Sequence, residues 1–143
     1  MFSFFRRKPS TVDRVNEVNQ IFGFGDARLY STLVREELKE ALQEIRRKEP
    51  DREHLLKEVC DLIWVANGFA LTQFTPQEIE RAFEEVYKSN MSKVCTRQQA
   101  QPYLEDHDYI EINETTGYLR RKSDGKYVKG PNYTLPNLSF INQ

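Results

Sequence analysis

The sequence predicts an all-α protein, a helical bundle of about four main helices with a short β-rich C-terminal extension. Three observations carry that prediction. Apolar residues recur at helical spacing through four segments before residue 100. Helix-start signals stand in front of those segments. After about Gln101 the pattern changes to short alternating runs separated by turn residues.

Taken in order, Ser10 or Thr11 can cap a first helix that reaches about Phe22, with Val12, Val15, Val18 and Ile21 or Phe22 on one stripe. Gly23-Phe24-Gly25-Asp26 stops it and opens a loop; this is a helix stop and not a phosphate cradle. A second helix is expected over roughly Thr32–Lys48, with Val34, Leu38, Ala41, Leu42 and Ile45 at helical spacing. A third, from about Arg52 to Leu71, has Asp51 as its cap. It is apolar round most of its circumference and is read as the central helix, with Cys60 and Trp64 in the core. Thr75-Pro76-Gln77-Glu78 combines a cap, a first-turn proline and a capping-box carboxylate, and starts a fourth helix that continues towards Ser89–Lys93. Beyond it, Tyr109–Ile112 and Tyr118–Arg120 read as short strands, and Ser123-Asp124-Gly125 as a turn into Lys126–Lys129. The whole is read as one domain: residues 1–9 a flexible arm, 10–100 the bundle, 101–143 the extension. The arm's apolar portion, in MFSFFRRK, is shorter than a signal peptide requires.

Composition narrows the function classes. A formal net charge of −1 over 143 residues argues against a nucleic-acid polymer as partner. No apolar run spans a membrane, because Lys57, Glu58 and Asp61 interrupt the best candidate. Two distant cysteines make no disulfide framework, so a cytoplasmic location is expected. His54 and His107 are read as exposed polar residues, and no Ser/His or Cys/His nucleophilic pair is suggested.

The chemistry concentrates in two acidic pairs, Glu37/Glu40 and Glu58/Asp61. Each is spaced i, i+3, so its carboxylates share one helical face. With Asp and Glu at 22 of 143 residues, either motif alone is weak evidence. Their mirror placement is stronger. An antiparallel hairpin turning near Glu49–Asp51 sets Glu40 opposite Glu58 and Glu37 opposite Asp61. The second pair also lies in the apolar stretch Leu55–Leu71, where an unneutralised carboxylate is very costly. Hard oxygen donors without histidine or thiolate favour Mg²⁺, or Mn²⁺, over zinc.

Glu36-Glu37-Leu38-Lys39-Glu40 followed by Glu58-Val59-Cys60-Asp61 resembles the E-E-x-x-E…E-x-x-D signature of the all-α nucleoside triphosphate pyrophosphohydrolases, the superfamily of MazG, the phosphoribosyl-ATP pyrophosphohydrolases and the dimeric dUTPases. Ser89–Lys93 and Asp124–Tyr133 resemble small MazG-like proteins of phages and bacteria. The resemblance implies Mg²⁺ ligands at Glu37, Glu40, Glu58 and Asp61, and an accessory carboxylate at Glu36. It implies cleavage of a nucleoside triphosphate at its α–β phosphoanhydride to a monophosphate and pyrophosphate, and assembly as a homodimer or homotetramer. Asn90 and Lys93 match positions that contact phosphate in relatives, with Arg97, Lys126 and Lys129 as further candidates. Lys93 and Arg97 stand four apart where many MazG proteins show three, which leaves the role of Arg97 open; Lys126 and Lys129 read equally as a solvated strand edge. For the base, Asn16, Asn19 and Gln20 could reach an edge, and Trp64 or Tyr87 could stack. A metal- and nucleotide-binding regulator without turnover, and a helical interaction module, are the alternatives that these residues leave.

Overall fold

The computed structural model describes residues 8–142; the expected arm at residues 1–9 therefore lies, through residue 7, outside them. The described residues form five α-helices and one two-stranded antiparallel sheet: α1 (Thr11–Phe22), α2 (Ala27–Ile45), α3 (Arg52–Leu71), α4 (Pro76–Met91), α5 (Arg97–Ala100), β1 (His107–Glu111) and β2 (Gly117–Arg121). The four main helices are those the sequence predicts. The fifth is a single turn closed by a capping box between Thr96 and Gln99. The residues group into two compact units, and the division falls within α4, after Glu80.

In the first unit the helix starts follow local chemistry. Ser10 caps α1 and Asp13 completes the reciprocal bond. Asp26 accepts from the Leu29 amide at 2.7 Å and starts α2 five residues earlier than Thr32, because the loop residue itself is a good cap. Asp51 takes the Glu53 and His54 amides and starts α3 where expected. α3 packs on both α1 and α2. Val12 and Val15 of the α1 stripe are buried, whereas Ile21 and Phe22, in the last turn of the helix, are exposed.

One close approach locks the three helices. Tyr30 of α2 donates its hydroxyl to Asn19 Oδ1 of α1 at 2.9 Å, and both residues are buried. The Tyr30 ring lies flat against Gly68 of α3, where any Cβ would overlap it. Asn19 Oδ1 is therefore engaged in helix packing, while its buried Nδ2 has no hydrogen-bond partner. Two expectations are corrected here. Cys60 is exposed, and Trp64 retains 39 % of its surface, because the face of α3 that carries them packs on neither helix to completion.

The second unit has its own small core of Cys95, Ala100 and Leu119, with Leu104, Tyr109 and Val128 against it. β1 and β2 pair with Tyr109 opposite Leu119. The expected third strand at Lys126–Lys129 reduces to an isolated bridge between Arg120 and Tyr127, since Gly125 turns the chain with φ of 71° and Gly130-Pro131 ends the run. The segment after it is tied to the end of α4: Ser89 donates to the Thr134 carbonyl, the Thr134 amide to Ser92, and Asn132 to the Val94 carbonyl. No helix of the described residues is long and apolar enough to cross a membrane.

Gly68→Ala is expected to destabilise the protein by about 1–3 kcal/mol, since the overlap with Tyr30 outweighs the helix-propensity gain of roughly 1 kcal/mol. Thermal denaturation would show a Tm lowered by several degrees; an unchanged or higher Tm would contradict the packing described.

Candidate metal centre

The mirror spacing is realised between α2 and α3. Glu37, Glu40 and Glu58 present carboxylate oxygens that all lie within 4.8 Å of one another. Glu58 is 1 % exposed, Glu37 is half-buried and Glu40 faces solvent. Asp61 stands outside that triplet, but its charge bears on Glu37. Glu36 is exposed on α2.

The distribution of positive charge round these groups is uneven. Lys57 Nζ bridges Glu58 Oε1 at 3.1 Å and Asp61 Oδ2 at 2.9 Å. His54 Nε2 lies 2.8 Å from the same Glu58 Oε1, while its Nδ1 lies 2.9 Å from Glu44 Oε2. Both ring nitrogens thus face carboxylate oxygens, which only accept when ionised, so the arrangement calls for the imidazolium. The hydrogen bond to Glu44 raises the His54 pKa first, and the charges of Glu58 and Glu44 add to it against burial. Lys57 lowers the Glu58 pKa despite burial, with a hydrogen-bond contribution from Glu40. Glu37 shifts the other way: burial raises it, and the charges of Asp61, Glu40 and Glu58 raise it further, with Lys57 only partly opposing. The cations serve the α3 side of the cluster and leave Glu37 short of a partner.

That shortage has an atomic signature. Glu37 Oε2 and Glu58 Oε2 are buried side-chain oxygens with no hydrogen-bond partner. Unpartnered buried carboxylate oxygens are costly, and two residues that carry them, converging with a third carboxylate, match the donor set of a hard divalent cation. Four carboxylates against Lys57 and His54 leave an excess of two negative charges, equal to the charge such an ion brings. The residues fit a divalent metal.

A separate carboxylate pins the hairpin that makes this convergence. Glu44 is 3 % exposed, accepts from Arg47 Nη1 at 3.1 and 2.9 Å, and takes the Asp51 amide at 2.7 Å. Arg47, then the Asp51 amide, hold its pKa down at about 2. These bonds end α2 at Ile45, short of Lys48, and turn the chain into α3. His54 is exposed as the sequence predicts, but it is paired with both Glu44 and Glu58. The signal for His54 was its i, i+4 spacing to Glu58, and for Lys57 the same spacing to Asp61.

The cationic candidates lie at the end of α4 and beyond, in the second unit. Asn90 donates to the Val86 carbonyl, and Lys93 Nζ donates to Asn90 Oδ1 at 2.7 Å while covering the Tyr127 ring. With Val94 and Tyr118 they line a cavity of about 190 Å³. Arg97 is tied to Glu111 and lies over Tyr109, so it is engaged within its own unit. Lys129 covers Tyr133, and Lys126 lies 3.9 Å from Asp124.

The family model of the MazG nucleotide pyrophosphohydrolase domain matches residues 27–101, a span that holds α2, α3, α4, α5 and all four paired carboxylates. No curated protein matches the chain.

Glu44→Gln should lower the Tm at neutral pH by loosening the α2–α3 corner. The folded-state pKa of Glu44 is depressed from 4.5, so its contribution is present above about 4.5 and lost as pH falls through about 2. The gap between the wild type and Glu44→Gln, read by thermal unfolding, should therefore narrow across that window; a constant gap would contradict the assignment.

Proposed function

The chain belongs to the MazG nucleotide pyrophosphohydrolase domain family, and from that premise we propose that it is a Mg²⁺-dependent hydrolase that cuts the α–β phosphoanhydride of a nucleoside triphosphate, releasing a monophosphate and pyrophosphate. The observation that carries the reading is the convergence of the Glu37, Glu40 and Glu58 carboxylates, two of which carry a buried, unpartnered oxygen.

Glu37, Glu40 and Glu58 would hold the divalent cation, with Asp61 as the fourth carboxylate and Mn²⁺ as an alternative ion. Bound there, it supplies neutralisation of the phosphate chain and acidification of a water. The chain's own residues supply the rest. Burial of Glu58 and the Glu44 corner hold the α2–α3 turn and one donor in place before anything binds. Glu36, exposed next to Glu37 in the sequence, is the accessory carboxylate proposed to orient the attacking water. Asn90 and Lys93 are the proposed phosphate contacts of the second unit. Lys126 and Lys129 rank behind them, and Arg97 last, since its guanidinium already holds Glu111.

We extend the proposal to self-association as a homodimer or homotetramer. In the first unit Leu38, Leu42 and Ile45 of α2, and Leu56, Val59 and Ile63 of α3, are all exposed in the single chain, more apolar surface than two helices usually leave to water.

The test is pyrophosphate release from a panel of ribo- and deoxynucleoside triphosphates, with and without Mg²⁺. Metal-dependent release of equimolar monophosphate is expected, and Asp61→Ala should abolish it while leaving the protein folded. Full activity in that variant would overturn the site. Metal binding without release from any nucleotide would favour a regulator, and neither would favour an interaction module.

A further inference from the structure

The metal-ligand set contains a contradiction. The proposed reading asks Asp61 to join Glu37, Glu40 and Glu58 round a divalent cation, yet Asp61 Oδ2 is held by Lys57 Nζ at 2.9 Å. The same ammonium takes Glu58 Oε1 at 3.1 Å, leaving Glu58 with only its buried, unpartnered Oε2 for anything else. Lys57 and Glu58 are neighbours on α3, and Lys57 and Asp61 are spaced i, i+4, so one helix carries both the ligands and the cation that occupies them.

We propose that Lys57 is a tethered counter-cation that competes with the divalent metal for Asp61 and Glu58, and that its ammonium must leave Asp61 for the site to fill. The inference rests on the metal-dependent reading above. Three features support it. Lys57 is a point charge on a flexible stem, 60 % exposed, so its ammonium has water to swing into, although in doing so it gives up the buried Glu58 as well as Asp61. Its bond to the 41 % exposed Asp61 is that of a surface pair, worth little and readily exchanged for a divalent ion. It also neutralises the wrong half of the cluster: Glu37, on α2, stays uncompensated, with its carboxyl pushed up by burial and by Asp61, Glu40 and Glu58. A tethered monovalent cation can therefore offset the α3 carboxylates without metal but cannot satisfy both faces. The consequence is a site whose affinity for free metal is held down by its own lysine.

The experiment is a calorimetric titration of Mn²⁺ into the metal-free full chain, for the wild type, Lys57→Met and Lys57→Arg, with thermal unfolding of each with and without metal. Lys57→Met should bind Mn²⁺ more tightly than the wild type by about tenfold, a difference of about 1.4 kcal/mol. Its metal-free Tm should fall and its metal-bound Tm should not. Lys57→Arg, which keeps the charge, should stay near the wild type. Equal or weaker binding by Lys57→Met, or a Tm lowered alike with and without metal, would make Lys57 an ordinary surface pair and overturn this proposal while leaving the metal site standing. Absence of Mn²⁺ binding in the wild type and in Lys57→Met alike would overturn the metal-dependent reading and this inference with it.

Discussion

The structure turns on the cost of bringing carboxylates together in a partly dry helical hairpin. α2 and α3 could pack through apolar side chains alone, yet their contact places Glu37, Glu40 and Glu58 at one level, with Glu58 fully enclosed. Charges so placed repel, and burial strengthens the repulsion. Local cations offset part of that load: Lys57 and His54 on Glu58, and Arg47 with His54 on Glu44, of which His54 alone joins α3 to α2. The compensation is incomplete, and the remainder is concentrated at Glu37. A fold that tolerates such an uncompensated group retains it for something outside the chain, and a divalent cation is the simplest complement of the residual charge.

Much of this was legible in the sequence because helix ends are written in single residues. Asp51, Ser10 and the Thr75–Glu78 box each set a boundary, and the structure starts α3, α1 and α4 there. The mirror spacing about residue 49 carried over for Glu37, Glu40 and Glu58 but not for Asp61, which stands outside the triplet. α2 was misplaced at both ends for one reason: Asp26 and Glu44 act through side-chain bonds to backbone amides, which apolar periodicity does not record.

The cations were harder to read. Lys57 and His54 look like ordinary surface residues of an amphipathic helix until their partners on the same face are counted at i, i+4. Cys60 and Trp64 failed differently. Apolarity round α3 pointed to burial, but a sequence does not distinguish a face covered within the chain from one left for another surface. The third strand failed because Gly125 and Gly130 bracket a run too short for more than one bridge. In the second unit, Ser89–Lys93 and Asp124–Tyr133 were legible as a resemblance only. In the structure Ser89, Ser92 and Asn132 are largely structural, lacing the final segment to the end of α4.

The central claim is that the α2–α3 carboxylates form a divalent-cation site. The most direct measurement is the unfolding temperature of the metal-free wild type, titrated with MgCl₂ and, in parallel, with NaCl at matched ionic strength. A site of this kind predicts a saturable rise with Mg²⁺, growing as the logarithm of concentration beyond the dissociation constant, and little change with Na⁺. Equal responses to the two salts would mean that screening alone relieves the cluster, and would contradict the account.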